Sequence, residues 1–401
     1  MRSFGADTRM PTLAVVLDLI RARGSASRVE LAEATGLTQA TMTHAVRKLM
    51  QLGLVHEVGT APASRGTPRR LLGIKADACS MVGIQFDTYS ATGVVVDPAG
   101  TVVAQRELPA PGQRPPQEVV ADLAEGVRLL LKDAAVPRER VLGIGLATYG
   151  PQDREAGVLL TPQPTPEWQG HPLATSLSAA TGFPVAVEND ATAAGIGVQT
   201  LGGSASSSAS SFAVVYMSGG IGAGLILDGQ PYRGVTSNGL ELGHISVDAL
   251  GPPCHCGNRG CLDEIAGPIT TTAQARADPA LAHRIAPGAD PLAGFLAVAL
   301  AALDGDPVAA GLIDTSAQRL AVATVTLVNL FDIGRVVLAG KAFTDIGPVY
   351  RDALQTVLDR AVFMRHVHPV QVELASDVTQ AAAVGAAAVV LRDLLESPDT
   401  A

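Results

Sequence analysis

Sulfur is scarce in this chain, long apolar runs are absent, and net positive charge is missing from most of it. Of 401 residues, four are cysteine. No hydrophobic stretch approaches the roughly 18 residues of a membrane span, which excludes a helical membrane protein. The opening residues "MRSFGADTRMPTL" lack the apolar core and cleavage site of a signal peptide. A cytoplasmic protein with no membrane partner is therefore expected, and in that compartment structural disulfides are disfavoured. What remains is an ordinary globular composition, 47% hydrophobic and 17% charged, in a chain long enough for two or three domains.

The net charge of −9 conceals two populations. Residues 1–75 hold 11 Lys and Arg against 5 Asp and Glu, a balance of +6; the rest of the chain holds 18 against 33, a balance of −15. An acidic body argues against nonspecific nucleic-acid binding, and a small basic head argues for it locally. The contrast predicts a separate module over residues 1–76.

Within the head, "PTLAVVLDLIRAR" places Leu13, Val16, Leu17 and Ile20 on one helical face. Gly24 ends that helix. Ser27 and Glu30 form a capping box for a second helix, Arg28 to Thr35, which stops at Gly36. Thr38 caps a third helix reaching about Leu52, with Met42, Ala45, Val46 and Leu49 inward. Gln39, Thr41, Thr43, His44, Arg47 and Lys48 are left facing solvent or DNA. "LVHEV" and "RRLLGI" read as two strands around a wing, with Arg65, Arg69 and Arg70 near its tip and base. Two short helices across a Gly-containing turn, the second polar and basic, with an Arg-bearing wing behind them, point to a winged helix-turn-helix. A small three-helix protein-interaction domain is the blander reading. Operator DNA is the partner the first reading expects. The stretch "GSASRVELAEATGLTQATMTHAVRKLMQLGLV" followed by "SRGTPRRLL" resembles the N-terminal domain of winged-helix regulators of the ROK family (repressors, open reading frames and sugar kinases). The resemblance continues through almost the whole chain.

From Met81 onward, apolar runs alternate with helical stretches. "MVGIQFD", "ATGVVVD" and "TVVAQREL" read as strands, "PPQEVVADLAEGVRLLLKDA" as a helix, "VLGIGLATYG" and "FPVAVEND" as strands, and "ATAAGIGVQTL" as a helix. This βββαβα order resembles the ribonuclease-H-like half of sugar kinases and actin. A second half of similar type begins at "SSFAVVYMSGGIGAGLILDG" and ends in an Ala-rich helix, with "GGSASSSASS" as a flexible loop between the halves. The expected fold class is α/β: a winged head, a first lobe over 77–201 and a second over 202–401, with the C-terminal helix returning to the first lobe.

Three of the four cysteines fall within "CHCGNRGC", Cys254 to Cys261. Cys-x-Cys is too close for an easy disulfide, and a redox pair prefers Cys-x-x-Cys. With His244 upstream, Cys254, Cys256 and Cys261 complete a four-ligand set of the kind that holds structural Zn²⁺; three reduced cysteines without a metal are the bland alternative. The segment also resembles the ROK zinc motif.

Asn189 and Asp190 end a strand, where α/β folds present ligands. Together with Glu241, His244 and Asp263 they suit a polyhydroxylated ligand, because carboxylates and amides accept or bridge hydroxyl hydrogens. The family resemblance implies that these positions bind sugar, with Asp263 in place of the usual Glu, and that Asp190 would be the general base of a kinase. Asp190 also reads as a helix N-cap. The resemblance implies an Asp-x-Gly-Gly-Thr phosphate loop as well, but the chain reads "FDTYSATG", with Tyr89 and Ser90 replacing the glycines. A second loop, "SGGIGAG" at 218–224, keeps its glycines, whereas a third has Lys341 after Gly340. Side chains block the close approach of phosphate to backbone.

These features predict a non-catalytic, sugar-responsive transcriptional regulator, a repressor by family habit, whose effector is a sugar or sugar phosphate and which assembles as a homodimer or homotetramer. The alternative is an active ATP-dependent hexose kinase carrying a DNA-binding head. A regulator reading a non-sugar ligand is a third, weaker reading.

Overall fold

The computed structural model describes residues 12–61, 69–201 and 211–396. Residues 202–210 of the interlobe loop expected over 202–211, and Arg65 of the expected wing, lie outside them. In the head, helix α1 (Thr12–Arg23) buries Val16, Leu17 and Ile20. It leads through β1 (Ala26–Ser27) into α2 (Arg28–Thr35), whose start is fixed by the capping box. There the Ser27 hydroxyl accepts from Glu30 N, and the Glu30 carboxylate accepts from Ser27 N at 2.7 Å. Gly36, at φ +67°, closes the helix in the left-handed region that favours glycine. Helix α3 (Gln39–Gln51) is capped by Thr38 and buries Met42, Ala45, Val46 and Leu49. The wing strands are β2 (Val55–Ala61) and β3 (Arg69–Ile74). Two residues long, β1 escapes any reading by periodicity, yet it pairs with β3 and makes the wing sheet three-stranded, β1-β3-β2.

The first lobe runs β4 (Ser80–Phe86), β5 (Ala91–Val96), β6 (Val102–Leu108), α4 (Pro116–Asp133) and β7 (Val141–Thr148). A hairpin of β8 (Gln152–Asp153) and β9 (Val158–Leu159) follows, then α5 (Leu173–Thr181), β10 (Val185–Asn189) and α6 (Asp190–Leu201). The second lobe runs β11 (Phe212–Met217), β12 (Ile221–Leu227), β13 (Gln230–Pro231), α7 (Leu262–Ala266), α8 (Pro268–Ala277), α9 (Pro291–Leu303) and α10 (Pro307–Phe331). It ends with β14 (Arg335–Ala339), α11 (Gly347–Ala361), β15 (Gln371–Leu374) and α12 (Ala381–Glu396). The two sheets are ordered β6-β5-β4-β7-β10 and β13-β12-β11-β14-β15. In each, an antiparallel meander supplies three strands and two parallel strands extend its first member. The lobes are thus two copies of one ribonuclease-H-like topology. Strands β4 and β11 are buried along their whole length, as central strands covered on both faces should be. No single helix among the described residues is long and apolar enough to cross a membrane.

Helices α6 and α12 pack on each other between the two sheets, α12 against β4, β5 and β7, and α6 against β11 and β12. They cross where both lack side chains: a Cβ on Gly197 would strike the Ala381 carbonyl, and one on Gly385 the Ala193 carbonyl. Helix α12 also touches the head. Leu17 and Ile20 of α1 share one continuous core with Met81 and Val94 of the first lobe and with Leu391 and Leu395 of α12. The charge contrast that sets the head apart is a property of its surface; its apolar core runs on into the body.

Candidate ligand cavity, cysteine cluster and DNA-facing helix

A cavity of about 310 Å³ opens between the lobes at the carboxyl ends of β4, β7 and β10, within the range of small-molecule sites. Asn189, Asp190, Glu241, His244 and Asp263 all border it. Strand β10 delivers the first two. The helix N-cap is Asn189 rather than Asp190, since the Asn189 side-chain oxygen accepts from Thr192 N at 3.0 Å. Asp190 is the first helical residue and accepts from Ala191 N at 2.8 Å. Its carboxyl borders the cavity but is otherwise enclosed. Burial, with the Asp87 and Glu241 charges nearby, pushes its pKa up to about 7. Asp263 arrives from α7 and turns toward the β11–β12 corner, where it accepts from Ile221 N at 2.9 Å. Tyr149, Tyr216, His255 and Glu264 line the cavity too; they sit beside the residues read from the sequence, and no spacing rule distinguishes them.

His244, Cys254, Cys256 and Cys261 offer ligand atoms that all lie within 4.8 Å of one another. Cys256 Sγ and Cys261 Sγ are 3.7 Å apart, and Cys254 Sγ is 3.6 Å from His244 Nδ1. A tetrahedral zinc with bonds of 2.0–2.3 Å places its ligands about 3.5–3.8 Å from each other. The donors therefore fit such an ion in both chemistry and spacing. Cys261 is buried, which pushes its thiol up to about 12; a coordinated metal would reverse that by binding the thiolate. His255 stands 3.7 Å from Cys254 Sγ and 3.8 Å from Glu264, between the cluster and the cavity.

The nucleotide side differs from an open phosphate cradle. Asp87 accepts from the backbone N–H groups of Tyr89 and Ser90, both at 2.8 Å, and from the Ser218 hydroxyl at 2.6 Å. The Tyr89 ring lies on the glycine loop that the sequence leaves intact: a Cβ on Gly219 would be 2.9 Å from Tyr89 Cδ2. Lys341 reaches across to the first lobe and pairs with Glu107 at 2.7 Å.

On the head, Gln39, Thr41, Thr43, His44 and Arg47 project from the exposed face of α3, and Lys48 is half-buried. The Thr41 hydroxyl is 2.9 Å from that of Thr38, and the Thr43 hydroxyl donates to the Gln39 carbonyl. Two of the residues expected to face DNA thus also tie down their own helix. Arg70 pairs with Glu57 across the wing strands, and Arg69 lies beside it at the wing's base.

A family model described as ROK family matches residues 81–393. The chain belongs to the ROK family. A model described as winged helix-turn-helix DNA-binding matches residues 15–56 of this ROK chain. It is 26% identical over 395 residues to a putative xylose repressor of Caldicellulosiruptor, covering 96% of both chains. It is 26% identical to the N-acetylglucosamine repressor of Escherichia coli, over 95% of this chain and 92% of that one. Its fold matches that of a ROK family transcriptional regulator described as a homolog of the E. coli MLC protein. That match has a TM-score of 0.73 at 23% identity, over 96% of this chain and 97% of the other. A ROK hexokinase from Thermus thermophilus matches with a TM-score of 0.61 and 29% identity, over 78% of this chain and 99% of the kinase.

Proposed function

We propose that this chain is a sugar-responsive, DNA-binding transcriptional repressor of carbohydrate genes, acting in the cytoplasm as a homodimer or homotetramer. The repressor names carried by full-length relatives support the reading. The observation that carries it is that the cavity and the DNA-binding head are joined through one pair of packed helices. Helix α6, which begins at Asp190, lies along α12, and α12 holds α1 of the head. Beside that packing runs a chain of ion pairs. Buried Glu188, next to Asn189, meets Arg233 of the second lobe at 2.8 Å and Arg154 of the first at 3.4 Å. Arg154 continues to Asp393 on α12 at 2.9 Å, and the adjacent Arg392 reaches Asp18 of α1 at 3.2 Å. Sugar bridging Asn189 and Asp190 to Glu241 and His244 would fix the lobes relative to each other, and α12 would pass that setting to the head. Zn²⁺ held by His244 and the three cysteines is structural: it fixes the loop that presents His244 to the cavity. Arg47 and Lys48, with the wing arginines Arg65, Arg69 and Arg70, supply phosphate and base contacts, and Gln39, Thr41, Thr43 and His44 lie where α3 would enter the major groove.

The same proposal holds that the chain does not phosphorylate sugar. Asp190 remains available as a base, but Tyr89 covers the loop that would receive ATP phosphates, and a displacement near 1 Å in such a reaction costs on the order of a hundredfold. An operator selected from random duplexes decides between regulator and kinase. Its binding should change about 5–150-fold with an effective sugar, and Asp190→Ala should bind the operator but lose that response. Sugar-dependent ATP turnover near one per second, lost in Asp190→Asn, would favour the hexose kinase instead.

A further inference from the structure

The proposed function leaves open whether the effector carries a phosphate. Five carboxylates border the cavity, those of Asp87, Asp190, Glu241, Asp263 and Glu264, and among the described lining residues there is no lysine or arginine. The cations of the surrounding elements are engaged elsewhere: Arg154 and Arg233 with Glu188, and Lys341 with Glu107. Zinc in the neighbouring cluster would not change the balance, because one divalent ion with three thiolates and a neutral imidazole carries a net charge of about −1. A phosphate entering here would meet like charge in a partly desolvated space.

Backbone donors tell the same story. Loops that bind phosphate do so with N–H groups left free to point at it. In this chain those groups already serve carboxylates of the protein itself. Tyr89 N and Ser90 N donate to Asp87, and Ile221 N donates to Asp263. Asp263 also stands over Gly220, where a Cβ would be 3.4 Å from its carboxylate. Two built-in carboxyl groups thus occupy the anion-binding corners of the two loops, and the Tyr89 ring covers Gly219 between them.

We infer that the effector is an uncharged, unphosphorylated sugar, and that Tyr89 and Asp263 are the residues that exclude its phosphorylated form. This rests on the sugar-sensing reading above. Polyhydroxylated neutral ligands suit the lining, since each carboxylate can accept a hydroxyl hydrogen without bringing two anions together. Phosphate esters do not, because like-charge juxtaposition at such distances discriminates strongly.

The test is calorimetric titration of the intact, metal-loaded protein with matched pairs: D-glucose and glucose 6-phosphate, N-acetyl-D-glucosamine and its 6-phosphate, and D-xylose and xylose 5-phosphate. Inorganic phosphate serves as competitor. At least one free sugar should bind, its phosphate should bind at least about 100-fold more weakly, and inorganic phosphate should not displace it. Tyr89→Gly should narrow that ratio at least about tenfold, while Tyr89→Phe, which keeps the ring, should leave it unchanged. A phosphorylated sugar binding as tightly as its parent would overturn this inference and leave sugar sensing intact. Silence across the whole panel would overturn both.

Discussion

Asp190 carries an electrostatic cost shared at this site by Asp263: burial holds each carboxyl up at a pKa of about 7, so ionising either near neutral pH costs free energy. The groups that face Asp190 are Asp87 at the end of β4, Glu241 on the opposite lobe, and the phenols of Tyr149 and Tyr216; none is a cation. The sign follows from linkage. Between the ordinary aspartate value of 3.8 and about 7 the folded protein binds more protons here than the unfolded chain does. Asp190 therefore makes stability fall as pH rises through that window. Asp190→Asn removes the charge, and its amide oxygen can still accept from Ala191 N. The variant should melt several degrees above the wild type at pH 8, with the gap closing toward pH 4. Melting curves across that range test it, and a gap that is constant or widens on acidification would refute the assignment. Removing this cost is not the same as improving function, since the variant should bind sugar more weakly.

At the scale of elements, the loop from His244 to Cys261 forms no long helix or strand; isolated bridges (Ser246 to Cys261, Pro253 to Arg259) and turn bonds such as Cys254 N to the Asn258 carbonyl and Gly260 N to the Pro252 carbonyl, both at 2.8 Å, shape it. The side-chain cluster adds the tie between these turns and His244, with Cys254 Sγ 3.6 Å from His244 Nδ1. Cys254→Ser should bring the metal content from one zinc per chain to near zero and lower the melting temperature, because metal binding at such sites is folding free energy. Sugar affinity should fall with it, since His244 belongs to both the cluster and the cavity. Metal analysis of wild-type protein purified without added zinc is the first check; zero metal with an unaltered fold would show three reduced thiols instead. This element was legible in the sequence because ligand spacing is local, as were the helix starts at Ser27 and Thr38. What was not legible depends on contacts distant in sequence. Strand β1 is defined only by its partner β3. Tyr89 reads as a missing glycine, but its stacking on Gly219 is an encounter between residues 130 positions apart in the chain. The sequence reads Asp190 as the cap, whereas the path of β10 into α6 makes it Asn189, whose side-chain oxygen accepts from Thr192 N.

For the whole molecule, the question is how a ligand between two lobes reaches a helix on the far side of one of them. Arg392 stands at the junction. Its buried guanidinium meets Asp18 of the head, the Gln199 side chain at the end of α6, and the Gly229 carbonyl and Gln230 side chain of the second lobe, at 3.0–3.5 Å. One side chain on α12 therefore touches the head and both lobes. A change in lobe angle alters its acceptors, and Asp18 must follow or lose its partner. Coupling of 1–3 kcal/mol suffices for a useful response, and a hydrogen bond to a charged group contributes about 1.5–3 kcal/mol. Asp18→Asn keeps the shape and one acceptor while removing the charge. Operator affinity without sugar should stay within about threefold of wild type, because α3 and the wing are untouched, and its steep decline with salt should persist. The sugar-induced change in operator affinity should shrink toward about twofold. Fluorescence anisotropy with and without the effector measures both quantities in one titration. A full response in Asp18→Asn would move the coupling from this ion pair to the apolar contact of Leu17 and Ile20 with Leu391 and Leu395.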